Sequence, residues 1–267
     1  MKALFVTGEA IPFVNTGMVT GLLQELPKEL SKQEDMQLCI VMPYYKAVAE
    51  QPTFQIKYIT NFGVQLGWRH LHCGLFHAVD TESGINYYFL DNKYYFYRDE
   101  IYGHQDDGER FAFFAKAAIT ALEYIDFVPD VINCTDWTSA LVPLFLKSDF
   151  SHLEPYRDIK TLLTVNDVEY QGKASGEFLT EVLGLSENWR SIITQGDNIN
   201  FVKTAVVLAD GVVTKEGIKA LPGLESVSTT YAYKFASIAE KNAVDFAKHY
   251  REIFEHLLFE DEMTADL

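Results

Sequence analysis

Apolar residues come in two rhythms along this chain. Residues 2–7 (KALFVT) form a short unbroken apolar run, the signature of a strand buried on both faces. Residues 8–17 follow as a loop containing Pro12 and Gly17. Residues 19–33 then place Leu22, Leu23, Leu26 and Leu30 at helical spacing, with Pro27 inside the stretch predicting a kink. A second buried strand, residues 37–42 (QLCIVM), ends at Pro43. Strand, loop, helix and strand make the βαβ unit of a doubly wound fold. The middle changes character. Residues 54–66, 69–79 and 86–90 read as extended runs divided by Gly63, Gly67, Gly74 and Gly84, predicting a small antiparallel hairpin group inserted into the parallel sheet. Residues 107–124 carry the helical stripe Phe111, Phe114, Ala118 and Leu122.

The alternation then resumes. Strands are expected at residues 130–132, 160–165 (KTLLTV) and 211–214, with helices at 137–147, 176–183 and 198–208. A long amphipathic helix is expected over 231–258, followed by an acidic tail, 260–267. No repeat or low-complexity segment interrupts the chain, and the stretch near Pro222 reads as a loop. The expectation is one three-layer, Rossmann-like α/β domain over residues 1–267 with a mostly parallel sheet. Its core spans about 1–215, and the C-terminal helix and tail span about 228–267.

Composition narrows the function classes. The 267 residues are 48% hydrophobic and 14% aromatic, enough for a large core. Acids outnumber bases 38 to 22, a net charge of −16, which repels nucleic-acid phosphates and anionic membranes. The same field opposes a sugar nucleotide unless local donors overcome it. Cys39, Cys73 and Cys134 are odd in number and widely spaced, which argues against a disulfide framework or a thiolate zinc site. The first residues lack the apolar core of a signal peptide, and no run is long enough to span a membrane. The expected compartment is the cytoplasm.

Three strand-end segments carry candidate chemistry. The loop after the first strand, GEAIPFVNTGMVTG, sits where open α/β sheets bind ligands, although a plain connecting loop fits its local pattern equally. In Asn133–Thr138 (NCTDWT), Asp136 can accept from a sugar hydroxyl and Trp137 can stack on a pyranose, while Asp136 also suits a helix N-cap. In Thr164–Gly172 (TVNDVEYQG), Asn166 and Asp167 can hydrogen-bond a sugar or form an ordinary turn. His70 and His72 share one face of a strand, at a spacing that can hold a metal, but no third ligand type completes the set, and a solvated or packed face is the simpler reading. The acids Asp106, Asp107 and Glu109 suit a helix start. The eight aromatics between Tyr87 and Tyr102 suit either a packed hairpin or a sugar-stacking surface.

Taken in order, these segments resemble one family, the glycogen and starch synthases of bacterial and plant type (glycosyltransferase family 5). GEAIPFVNTGMVTGLLQELPKEL is similar to the family's SEAxPFxKTGGLADVxGxLPKxL. FLDNKYYFYRDEIYGHQDDGERFAFFAKA, INCTDWTSALVPLFLK, LLTVNDVEYQGK and INFVKTAVVLADGVVT follow in the family's order, and VSTTYA faintly matches a further motif. The resemblance covers nearly the whole chain. It implies half of a GT-B fold, the N-terminal domain of an enzyme that transfers glucose from ADP-glucose to an α-1,4-glucan. In that family the C-terminal half supplies most nucleotide contacts, and the expectation is that this chain does not contain it.

The resemblance breaks at the site. The family's donor-phosphate lysine falls on Asn15, and an amide supplies no charge. Its second glycine falls on Met18 and the aspartate of LAD on Gly21. The two histidines of HDWH fall on Thr135 and Thr138, and the histidine of TIHN on Asn166. The packing signals LPKEL, RFAFF and NFVK persist. Folding without catalysis fits that pattern. Nine residues are expected to line the vestigial sugar cleft: Glu9, Asn15, Thr16, Gly17, Asp136 and Trp137, then Asn166, Tyr170 and Gln171. No catalytic residue, metal or cofactor is assigned. The expected partner is an α-glucan or a full-length glycogen synthase. The alternative is the acceptor-side half of a split, ADP-glucose-dependent transferase.

Overall fold

The computed structural model describes residues 1–17, 19–154, 156–215, 217 and 221–264, with side chains described up to residue 259. Met18 and the side chains of the acidic tail lie outside the described residues. The strands are β1 (Lys2–Val6), β2 (Gln37–Pro43), β3 (Lys57–Leu66), β4 (Arg69–Val79), β5 (Asn86–Asp91), β6 (Val131–Thr135), β7 (Lys160–Val165), β8 (Lys173–Ser175), β9 (Thr194–Gln195), β10 (Asn198–Asn200), β11 (Gly211–Thr214) and β12 (Phe235–Ser237).

Nine of them form one sheet in the order β12-β11-β7-β6-β1-β2-β5-β4-β3. All neighbours from β12 to β5 run parallel, while β4 and β3 run antiparallel. The hairpin strands join the main sheet, as expected, and form its edge, because β5 pairs with β2 in parallel. The parallel strands β1, β2, β6 and β7 are almost wholly buried, as their unbroken apolar runs require. At β3 the pattern changes to alternating exposed and buried positions, because one side of the edge faces water. A second, small sheet joins β8, β10 and β9.

The helix Leu22–Ser31 carries Pro27 in its interior and buries Leu26 and Leu30. The helix Asp107–Thr120 buries Phe111, Phe113 and Phe114. Asp106 and Asp107 stand at its start, paired with Arg98 and Arg110 at 2.6 and 2.7 Å.

Several elements differ from their sequence expectation. The expected helix at 137–147 is two short pieces, Asp136–Ser139 and Val142–Ser148, with Pro143 opening the second. The one at 176–183 shrinks to Phe178–Glu181, and residues 198–200 form β10 before the helix Phe201–Leu208 begins. Asn200 starts that helix, its side chain accepting from the Lys203 N–H at 2.9 Å. The expected helix at 231–258 contains β12, and its helical part is Ala243–Thr264. Strand pairing with β11 overrides the helical pattern there.

The helix Ala243–Thr264 packs back over the core. Tyr250 is fully buried with its hydroxyl 2.8 Å from Thr164 Oγ1, and Phe254 meets Phe5 edge-on. Of the eight aromatics between Tyr87 and Tyr102, Tyr87, Phe89, Tyr95 and Phe96 are core, and Tyr94 and Tyr97 are exposed. His70 and His72 lie on the exposed face of β4, and no group of three or more possible metal ligands forms among the described residues. Among those residues no helix is long and apolar enough to cross a membrane.

Candidate functional site

The strand order reverses at β1. The chain runs from β1 to β2 on one side and returns to β6 on the other, a topological switch point, and open α/β sheets bind ligands in the crevice beyond the carboxyl ends of strands at such a point. The loops after β1, β6 and β7 meet there.

The β1 loop is held by its own side chains. Glu9, 2% exposed, accepts from the Thr16 N–H at 2.8 Å and from the Thr16 hydroxyl. Asn15 Oδ1 accepts from the Gly17 N–H at 3.2 Å and from Gln24 Nε2 at 3.0 Å. Gly17 has φ +93°, a left-handed conformation that a side chain would strain. Gly8 donates to Thr138 Oγ1 at 3.2 Å, and a Cβ on Gly8 would lie 2.9 Å from the Tyr102 hydroxyl. The crevice wall is that tight.

Asp136 follows β6 with φ +54°, a conformation non-glycine residues rarely adopt. Its side chain caps no helix. Oδ1 accepts from the N–H groups of Asn166 and Asp167 at 2.6 and 3.0 Å, stapling the β6 loop to the β7 loop. Oδ2 is buried and has no hydrogen-bond partner among the described residues. Burial pushes the carboxyl up to about 7, and the nearby Asp167 and Glu9 charges add to the push against the two N–H donors.

Trp137 is 2% exposed, so its indole is not a free stacking platform. Its ring meets Phe111 at 4.8 Å and Tyr170 at 4.9 Å, both edge-on. Tyr170, 49% exposed, is the aromatic that this pair presents to solvent. Asp167 forms a turn, accepting from the N–H groups of Glu169 and Tyr170 at 3.0 and 3.3 Å. Gln171 is buried and turned inward. It donates to the Pro222 carbonyl at 2.9 Å and accepts from Asn200 Nδ2 at 2.7 Å. Gly172 has φ +65°, and a Cβ there would lie 2.9 Å from Phe201 and 3.1 Å from Trp137.

The nine expected residues lie on three loops in different postures. Contacts join Glu9 to Thr16, Asp136 to Asn166 and Trp137 to Tyr170, while Asn15 and Gly17 bond within their own loop and Gln171 turns away to Asn200 and Pro222. Asn15, Thr16, Gly17 and Tyr170 are exposed, Asn166 is half-buried, and Glu9, Asp136, Trp137 and Gln171 face inward. Sequence reading missed Tyr102, Gln24 and Asn200. Tyr102 lay inside the aromatic tract, and burial beside Tyr45 and Glu9 holds its hydroxyl well above its ordinary pKa. Gln24 and Asn200 lay inside family motifs, but each acts through a hydrogen bond that local sequence does not reveal.

The fold defines a class: a Rossmann-like domain whose candidate polar groups lie on the loops at a topological switch point. The family described as starch synthase catalytic domain matches residues 2–217. Glycogen synthase of Lactobacillus acidophilus is 35% identical over 259 residues, covering 93% of this chain and 53% of that protein. Glycogen synthase of Lactococcus lactis is 38% identical over 218 residues, covering 80% of the chain and 45% of the relative. The catalytic domain of starch synthase IV from Arabidopsis thaliana, solved with ADP and acarbose, superposes with a TM-score of 0.77 at 22% identity, covering 91% of this chain and 52% of that one. That likeness establishes the fold. The chain belongs to the starch synthase catalytic domain family and corresponds to the N-terminal domain of family 5 synthases. It spans about half the length of the curated relatives it matches.

Proposed function

We propose that this chain is a cytoplasmic synthase-type domain that keeps the family fold, does not transfer glucose by itself, and acts in glycogen metabolism by holding an α-glucan or pairing with a full-length glycogen synthase. One observation carries the reading: the polar groups at the crevice are neutral or already committed to the fold. Glu9 grips Thr16, Asp136 staples two backbone N–H groups, and Asn15 caps its own loop. A departing nucleotide diphosphate needs cations or free donors where its charge develops. Here Glu9, Asp136 and Asp167 converge instead, and Lys215 lies in a neighbouring cavity, which Glu240 also lines. A neutral glucan meets no such penalty, and Tyr170 offers it a half-exposed ring.

Calorimetry of the purified chain with maltoheptaose and with ADP-glucose tests this. Saturable binding of the first without the second is expected, with no ADP release when both are present. Elongation of maltoheptaose by the chain alone overturns the reading. The family match over residues 2–217 also admits a second reading, the acceptor-side half of a split transferase. Adding a donor-side synthase domain to the same assay separates the two. Glucose transfer that requires both components favours the second.

A further inference from the structure

Strand register lays one row of side chains across four strands: Asn133 on β6, Phe5 on β1, Ile40 on β2 and Tyr87 on β5. This row lines a cavity of about 320 Å³, on the side of the sheet that the helix Leu22–Ser31 covers. Leu23 and Pro27 of that helix line it, as do Ile11 and Val14 of the β1 loop. The volume suits a small organic ligand, and most of the wall is apolar.

Two polar features of the wall bear on what could bind there. The Thr135 hydroxyl, on a residue 6% exposed, is reached only by the Asn133 amide at 3.5 Å and donates to nothing among the described residues. Pro27 has no N–H, so the Leu23 carbonyl lacks its usual donor four residues on, and both residues line the cavity. The outer wall is acidic. Glu25, Asp80 and Glu82 stand there against one cation, Lys28, which Glu82 binds at 2.7 Å.

We propose that this cavity is a binding site for a small molecule with an aromatic or branched aliphatic body, a hydroxyl at its inner end and an ammonium at its outer end. The hydroxyl pairs with Thr135 and Asn133, the body covers Phe5, Ile40 and Tyr87, and the ammonium faces the acidic rim. An anion is disfavoured by the three rim carboxylates and by the net charge of −16. The site does not depend on the glucan reading, but it shares a wall with the crevice. Ile11 and Val14 belong to the loop that Glu9 ties to Thr16, so an occupant packs against a crevice loop from behind.

Two probes of one shape test the charge preference: 4-hydroxyphenethylamine, and 3-(4-hydroxyphenyl)propionate, which replaces the ammonium with a carboxylate. Titration calorimetry is expected to detect saturable binding of the amine and at least about tenfold weaker binding of the acid. Leu23→Trp fills the cavity and is expected to abolish amine binding. Thr135→Val keeps the shape and is expected to weaken it about three- to tenfold. Glu25→Gln with Glu82→Gln alters only exposed side chains, so it leaves folding intact and is expected to narrow the preference for the amine. Absence of saturable amine binding to the parent chain overturns the proposal. So does equal binding of the two probes, or an amine preference unchanged by the rim pair. Circular dichroism melts confirm that each variant is folded before titration.

Discussion

Asp136 combines three costs in one residue: a left-handed backbone, a buried carboxyl and an oxygen with no hydrogen-bond partner among the described residues. What it returns is the staple between two loops. The unfolded chain releases this proton near 3.8, while the folded chain holds it to about 7. Between those values the folded state binds more protons, so this group's contribution to stability falls as pH rises and levels off above about 7. Asp136→Asn keeps the acceptor and removes the ionisation. The variant is expected to match the parent near pH 4 and to exceed it by on the order of 2 kcal/mol at pH 8, less whatever its buried NH₂ loses. Urea melts at the two pH values measure this, and a variant less stable at pH 8 than at pH 4 relative to the parent contradicts it. At Asn15 the change is one of charge. Asn15→Lys restores the cation of the family motif and is expected to tighten ADP-glucose binding about tenfold, readable by calorimetry. No glucose transfer is expected from that variant, because Thr135, Thr138 and Asn166 still stand where the family motifs carry histidines.

At the scale of elements, the helix Ala243–Thr264 is part of the core rather than an appendage. Phe254 is fully buried against Phe5 of the central strand. Phe254→Ala is expected to destabilise the domain by about 3–5 kcal/mol. Tyr250→Phe removes one hydroxyl from Thr164, which still donates to Asn133 at 2.8 Å, and is expected to cost only about 1 kcal/mol. Equal losses in the two variants would mean that the polar contact, not the packing, anchors the helix. Chemical denaturation of the pair distinguishes these outcomes. The internal proline belongs here too. Pro27 interrupts one hydrogen bond of the helix Leu22–Ser31 where that helix borders the 320 Å³ cavity, so the sequence break and the packing gap coincide.

For the whole molecule, net charge weighs against some ligand classes and not others. A field from a net −16 opposes every anion, and the crevice adds carboxylates to it. A neutral glucan is indifferent to that field. Its affinity is expected to change less than about twofold between about 50 mM and about 500 mM salt, whereas binding through phosphate contacts would change far more steeply. Calorimetric titrations with maltoheptaose at the two ionic strengths check this.

The alternation of apolar runs and helical stripes determined by itself that the sheet is mostly parallel, because only strands buried on both faces tolerate unbroken apolar runs such as LFV and CIVM. The motifs determined the family, since ordered segments along the chain leave little freedom in ancestry. Local sequence could not decide what the polar residues do. Asp136 read as a cap or a ligand, Gln171 and Trp137 as sugar contacts, and the stretch around β12 as helix. Tertiary structure turned the first three inward and paired the fourth with β11, through partners far away in the chain: Asp136 reaches residues 30 and 31 positions on, and Gly8 reaches Thr138 across 130. Burial of an apolar side chain is written in its own neighbourhood. A hydrogen bond needs a second group, and only the folded chain says which one arrives.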